Sequence, residues 1–245
     1  MSEPAVSVVI PAYNEATRLP ASLREVRSHL EAREESYEIV VVDDGSGDGT
    51  AEAARAVLRE GDLVLVTPAN RGKGHATRRG MLAARGALRL MTDADLSTPI
   101  EELARLRARV EGGADVAIAS RALRDSRIEV RQPWYRENLG RLFNAAVRVL
   151  VVGGIADTQC GFKLFTARAA RICFGASRLD GFGFDVETLH IARRGGLRID
   201  EVAVTWRNDA ASRVTLWGGM GAFADLLRIR WNGALGRYSP SDGGT

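Results

Sequence analysis

Leu90-Met91-Thr92-Asp93-Ala94-Asp95-Leu96-Ser97-Thr98-Pro99 is the stretch from which the rest of this chain can be read. A largely apolar run, Ala87 to Met91, stops at two carboxylates separated by one alanine. In an extended backbone side chains alternate, which predicts Asp93 and Asp95 on one side and Ala94 on the other. Two hard oxygen ligands at the end of a buried strand suit Mg²⁺ or Mn²⁺, which keeps several waters and takes further ligands from a diphosphate. The same carboxylates would also serve as caps for a helix beginning near Pro99, so the neighbouring strand ends have to decide between the two.

Working outward, Val6 to Ile10 is a compact β-branched run closed by Pro11, and Ile39 to Val42 is a second, closing on Asp43-Asp44-Gly45-Ser46. Leu63 to Val66 is a third, followed by a Gly-rich segment, Asn70 to Gly74, that leads into a helix through Ala84. Val116 to Ala119 is a fifth. Helical spacing separates them at Leu19–Leu30, Thr50–Leu58 and Pro99–Val110. Strands that alternate with helices and are apolar throughout argue a parallel sheet covered on both faces. Ligands of such sheets bind beyond the carboxyl ends of the strands. The polar clusters sit there: Pro11–Glu15, Asp43–Ser46, Asn70–Gly74 and Asp93–Ser97. Gly72 and Gly74 would let backbone approach a ligand, and Lys73 supplies a positive charge. Neither a P-loop nor G-x-G-x-x-G after the first strand is present, which counts against an NTPase or a dehydrogenase.

The second half is less regular. It predicts helices over Asn138–Val152, Phe184–Arg194 and Thr215–Tyr238, strands over Gly161–Thr166 and Leu197–Val204, and a loop over Asn208–Val214. Residues 1–238 read as one domain, with a nucleotide-binding half at 1–120 and an acceptor-side half at 121–238; 239–245 has the composition of a disordered tail.

With 245 residues and a net charge of +3, the chain can bury a large core and carries no basic run suited to nucleic acid. The bias to arginine, with only Lys73 and Lys163 as lysines, suits phosphate recognition and equally a GC-rich genome. Two cysteines give neither a disulfide framework nor metal-ligand spacing. Met1 to Val6 does not read as a signal peptide, and the longest apolar stretch, Leu142 to Ala156, is too interrupted to span a bilayer. The expectation is a cytoplasmic protein. Peripheral membrane contact through the 215–238 helix would be compatible with Trp231 and the nearby arginines.

Four motifs, V-S-V-V-I-P-A-Y-N-E, V-V-D-D-G-S-x-D-x-T, N-R-G-K-G and D-A-D-L-S-T-P, in this order resemble glycosyltransferase family 2. Asp157-Thr158-Gln159-Cys160-Gly161-Phe162-Lys163-Leu164-Phe165 and Phe184-Asp185-Val186-Glu187 resemble its dolichyl-phosphate glucosyltransferases in particular. The resemblance implies a GT-A-type nucleotide-sugar-binding fold with an acceptor-side C-terminal half. It also implies metal-dependent, inverting transfer of a sugar, glucose first among candidates, from a UDP-sugar to a phosphate-bearing acceptor such as a polyprenyl phosphate. A small soluble hydroxyl or phosphorylated acceptor, or a non-catalytic nucleotide-sugar binder, are the alternatives. By this resemblance Pro11, Ala12, Tyr13 and Glu15 line the uridine pocket, and Asp43 reads the base. Lys73 and Gly74 lie beside the donor, and Asp93, Ala94 and Asp95 meet its diphosphate, with Asp93 and Asp95 as metal ligands. Arg121 and Arg136 correspond to acceptor-phosphate arginines, and Arg213 to a basic residue that closes on the diphosphate. Asp157 and Asp185 are the leading catalytic carboxylates, with Glu187 and His190 as further bases if one is needed. Ser97 stands where mannose synthases of the family place a metal-binding glutamine. The acceptor, the sugar and the oligomeric state stay open at this level.

Overall fold

The computed structural model describes residues 3–130, 144–147, 150–207 and 216–238. Strands β1 (Val6–Ala12), β2 (Tyr37–Asp43), β3 (Leu63–Val66), β4 (Leu88–Met91) and β5 (Val116–Ser120) alternate with helices α1 (Leu19–Glu31), α2 (Thr50–Arg55), α3 (Lys73–Ala83) and α4 (Leu103–Glu111). A 3₁₀ turn at Ile100–Glu102 precedes α4. The second half adds β6 (Arg127–Val130), β7 (Lys163–Thr166), α5 (Ala167–Ala176), α6 (Phe184–Arg194), β8 (Ile199–Ala203), β9 (Thr205–Arg207) and α7 (Leu216–Ala234).

Among the described residues seven strands form one sheet in the order β3-β2-β1-β4-β7-β5-β8, and β6 pairs with β9 apart from it. All neighbours in the large sheet are parallel except β7, which runs antiparallel between β4 and β5. The apolar run Lys163–Thr166 signals burial but carries no direction, so this reversal could not be read from composition. Pro11 does not end β1. It stays paired opposite Val42, and the strand continues through Ala12.

The pleat sorts each strand's side chains between two cores. Val9, Val40, Val42, Met91 and Ile118 face α3, α5, α6 and α7. Val8, Ile10, Ile39, Val41 and Leu90 face α1, α2 and α4. Both faces being covered is what demanded strands without polar alternation. Helix α5 has no counterpart in the sequence reading; its signal is Thr166, whose hydroxyl accepts from the Ala169 N–H at 3.1 Å and caps the helix.

Candidate active site

The carboxyl ends of β1, β2 and β4 gather the polar loops at one edge of the sheet, and the D-x-D lies there in a turn. Thr92 still donates to the Val9 carbonyl at 3.0 Å, but Leu96 then donates back to Asp93 at 3.2 Å and takes φ 46°. The extended geometry expected for Asp93–Asp95 is therefore corrected. Asp95 favours the turn locally, because its Oδ1 accepts from the Ser97 N–H at 2.9 Å. Ala94 is buried, and its carbonyl accepts from the Ser22 hydroxyl of α1 at 2.6 Å. The two carboxylates still share one field. Burial first, and then the charge of Asp93, raises the Asp95 carboxyl above its usual range.

Asp93 has two close neighbours. Lys73 Nζ lies 2.5 Å from its Oδ1. Gly161 presses on it from the other side, so closely that a Cβ there would stand 2.6 Å from Asp93 Cγ. Burial opposes the charge of Asp93, yet Lys73, Lys163 and Arg121 together hold its carboxyl below the usual range. Burial likewise opposes the Lys73 ammonium, but Asp93, Asp185 and Asp95 outweigh it and push its pKa up.

Lys73 opens α3, and the loop before it is held by Asp44, whose carboxylate accepts from the N–H groups of Arg71 and Gly72. Part of the α3 N-terminus is satisfied within the chain. Gly74 and His75 donate to the Asp180 carbonyl at 2.8 and 3.2 Å. A Cβ on Gly74 would stand 2.5 Å from the Leu179 carbonyl and 2.8 Å from Phe184 Cβ. The missing side chain of Gly74 admits the 179–181 backbone.

Arg121 follows β5 directly and is fixed on three sides. Its backbone N–H, Nε and Nη2 donate to Asp157 at 3.0, 2.7 and 2.9 Å, and its guanidinium stacks 5.4 Å from the Trp206 ring centroid. Asp157 is buried and also accepts from the Gln159 N–H, while Glu201 of β8 accepts from the Ala156 and Asp157 N–H groups. Although burial opposes it, Arg121 holds the Asp157 carboxyl below its usual range. Asp185 pairs with the fully buried Lys163, which also donates to the Cys160 carbonyl at 2.7 Å. The structure thus places both candidate carboxylates in ion pairs, Asp157 with Arg121 and Asp185 with Lys163. Both cations frame the site.

The other two base candidates are engaged as well. Glu187 accepts from the Arg178 and Leu179 N–H groups and from the Tyr238 hydroxyl, and His190 Nδ1 meets the Val151 carbonyl at 3.2 Å. In the β1–α1 loop Tyr13 is 44% exposed, Glu15 pairs with Arg18, and Pro11 and Ala12 remain in β1. Asp43 ends β2, its Oδ1 accepting from the Ser46 N–H at 3.0 Å. Arg136 and Arg213 lie outside the described residues.

The family model for glycosyl transferase family 2 matches residues 7–171. The chain belongs to glycosyl transferase family 2. This glycosyltransferase is 38% identical over 241 residues to the dolichyl-phosphate beta-glucosyltransferase of Homo sapiens, covering 92% of this chain and 74% of that one. It is 36% identical over 246 residues to the enzyme of the same name from Dictyostelium discoideum, covering 94% and 75%. Its fold is similar to that of M. tuberculosis glucosyl-3-phosphoglycerate synthase, with TM-score 0.70, 22% identity, 93% of this chain and 81% of the other. The GT-A fold expected of the glycosyltransferase is therefore the fold it has.

Sequence reasoning left Lys163, Gly161 and Glu201 without roles. The first two lie inside the D-T-Q-C-G-F-K block. A lysine opening an apolar strand was the available signal, because an unpaired buried ammonium is too costly to keep. Lys163 sits opposite Met91 of β4 and Ile118 of β5, which brings its charge beneath the D-x-D turn. Glu201 gave no signal, since a glutamate in a short edge strand usually faces solvent.

Proposed function

We propose that this glycosyltransferase moves glucose from UDP-glucose to the phosphate of a polyprenyl phosphate, with inversion at the anomeric carbon. The observation that carries the reading is the cluster at the end of β4: Asp93 and Asp95 together, Lys73 on Asp93, and Arg121 within its field. The identity over more than nine-tenths of the chain to dolichyl-phosphate beta-glucosyltransferases supports the sugar and the acceptor class.

Asp93 and Asp95 would hold the metal. Among the described residues no group of three or more His, Cys, Asp or Glu side chains could do so. A pair of carboxylates fits Mg²⁺ or Mn²⁺, which fills its shell with water and diphosphate oxygens. Burial and the neighbouring charge of Asp93 disfavour the ionised form of Asp95, and a cation held between the two carboxylates would favour it. The ion, when bound, supplies a Lewis acid for the leaving diphosphate.

The chain's own groups account for the rest. Lys73 opposes charge developing on the departing UDP, a role Arg213 would share. Arg121, oriented by Asp157 and Trp206, receives the acceptor phosphate together with Arg136. Tyr13 offers an exposed ring beside the uridine, with Pro11, Ala12, Glu15 and Asp43 around it. A phosphate monoester has a second pKa of about 6, so at neutral pH a phosphate oxygen attacks the anomeric carbon without a base. The bond from that carbon to the diphosphate oxygen breaks, and UDP leaves with the electron pair.

The test is transfer of radiolabelled glucose from UDP-glucose to a short-chain polyprenyl phosphate in detergent with Mn²⁺. Label should enter the organic phase and disappear with chelator. Asp95→Ala should lose at least about 100-fold of turnover, the scale typical of removing one charge-stabilising group, with its circular dichroism intact. Full activity of that variant, or no labelled lipid with the wild type, would overturn the reading.

A further inference from the structure

Helix α7 carries apolar residues on two sides. Leu226 and Ile229 are buried against the core, as Gly233 is beside His190. Facing away from them, Leu227 and Trp231 are 66% and 65% exposed, and Leu235, whose N–H donates to the Trp231 carbonyl, is 51% exposed. Their spacing is i, i+4, i+8, so they form one stripe. Single exposed apolar residues need no explanation; a contiguous stripe with an indole at its centre does.

From Leu226 to Tyr238 the charge is of one sign. Arg228, Arg230 and Arg237 flank the stripe and are exposed, and no acidic residue occurs from Leu226 to Tyr238. Leu227, Arg228, Trp231, Asn232 and Arg237 line a shallow groove of about 530 Å³. Behind it Arg194 joins Arg230 near His190, and burial together with these two cations lowers the His190 pKa. The near acidic group, Asp225, is buried and pairs with Arg228 at 3.3 Å, while the Arg228 side chain stays exposed. An apolar ridge with an aromatic centre and a positive border is complementary to a bilayer surface bearing anionic headgroups.

We propose that the Leu227–Trp231–Leu235 ridge docks this enzyme onto anionic bilayers, the arginines at headgroup level and the apolar side chains below them. The ridge is read from its own side chains and holds whatever the acceptor is; a polyprenyl acceptor would give the docking its use. No helix among the described residues is long and apolar enough to cross a membrane, so the contact is with one leaflet.

Vesicle flotation tests it. The full chain should float with vesicles of phosphatidylcholine and phosphatidylglycerol in equal parts, far less with phosphatidylcholine alone, and less at high salt. Leu227→Ser with Trp231→Ser should weaken binding more than about 10-fold without lowering the melting temperature, since both side chains are exposed. Arg230→Gln and Arg237→Gln should each weaken it about fivefold. Wild-type protein that never floats, or a Leu227/Trp231 variant that floats as well as wild type, overturns the proposal. So does a wild-type dimer that this variant converts to monomer with flotation unchanged, because a second copy would then be what covers the ridge. Asp95→Ala should float normally while losing transfer. Transfer in detergent without flotation would sink the docking alone; flotation without transfer to any polyprenyl phosphate would sink the proposed function alone.

Discussion

Gly161 and Asp93 touch so closely that the position of one carboxylate depends on a missing methyl group. With a Cβ at residue 161 standing 2.6 Å from Asp93 Cγ, Gly161→Ala must turn Asp93 away from its place. A misplacement of about 1 Å near a reacting centre can cost on the order of 100-fold in rate. Gly161→Ala is therefore expected to lose turnover by about that factor while melting within a few degrees of wild type; unchanged kcat would show that the exact seat of Asp93 is unimportant. The Arg121–Asp157 pair makes a pH-dependent prediction. Because the folded carboxyl is held below its unfolded value, its stabilisation is complete above an unfolded pKa of about 3.9 and drains away as pH falls through the folded value. Asp157→Asn should be markedly less stable than wild type at pH 7, with the gap narrowing toward pH 2 in urea melts. A gap independent of pH would mean that the charge is not what matters. At this scale the sequence marked Asp93, Asp95, Lys73 and Arg121, but a residue's type does not say whether its lone pairs are already spent. Asp157 and Asp185 look like bases in a list of carboxylates. In the structure each faces a cation, Arg121 or Lys163.

Among the elements, the loop entering α3 is the most constrained. Gly72 has φ +108°, and a Cβ on it would collide with the Asp180 carbonyl, a backbone group that cannot swing aside. Gly72→Ala is expected to destabilise by about 1–3 kcal/mol, the scale of a strained backbone position. In a chain this long that is a fall of roughly 2–4 °C in Tm per kcal/mol. A variant melting like wild type would show that the 179–181 segment yields easily. Lys163 and Asp185 tie β7 to α6 in the same neighbourhood. Lys163→Met leaves a buried carboxylate alone and should cost on the order of 3–5 kcal/mol by chemical denaturation; adding Asp185→Asn should recover part of it. Most elements here were legible because hydrophobic period survives in a sequence: α6 appears at Phe184–Arg194, as its spacing predicts. What escaped has short-range or directional causes. The D-x-D turn depends on Asp95 accepting from the Ser97 N–H, and the antiparallel sense of β7 depends on where the chain returns from.

For the whole molecule, ligand binding and folding are linked, because anything that binds only the native state stabilises it. With Mn²⁺ present, UDP at about 100 times its Kd should add about 2.7 kcal/mol to unfolding. Chelator, or Asp95→Ala, should remove most of that shift. A shift that persists in both would place the diphosphate away from β4. The covered sheet was foreseeable from strands lacking polar alternation, whereas the filled space around Gly74 was not, because residues 179–181 come from a distant part of the chain.

Strand β7 has one more consequence, for the chain while it is being made. On emergence from a ribosome β5 appears before the strand that must join it to β4, some forty residues ahead of Lys163. Until β7 arrives, β4 and β5 are open edges, and the D-x-D turn lacks both the lysine beneath it and the glycine against it. A nascent chain stopped after Ser120 should therefore remain sensitive to protease, with protection appearing abruptly once β7 and α5 have emerged. On that expectation vectorial synthesis exposes no completed D-x-D turn early, and the turn comes into existence in one step with the sheet.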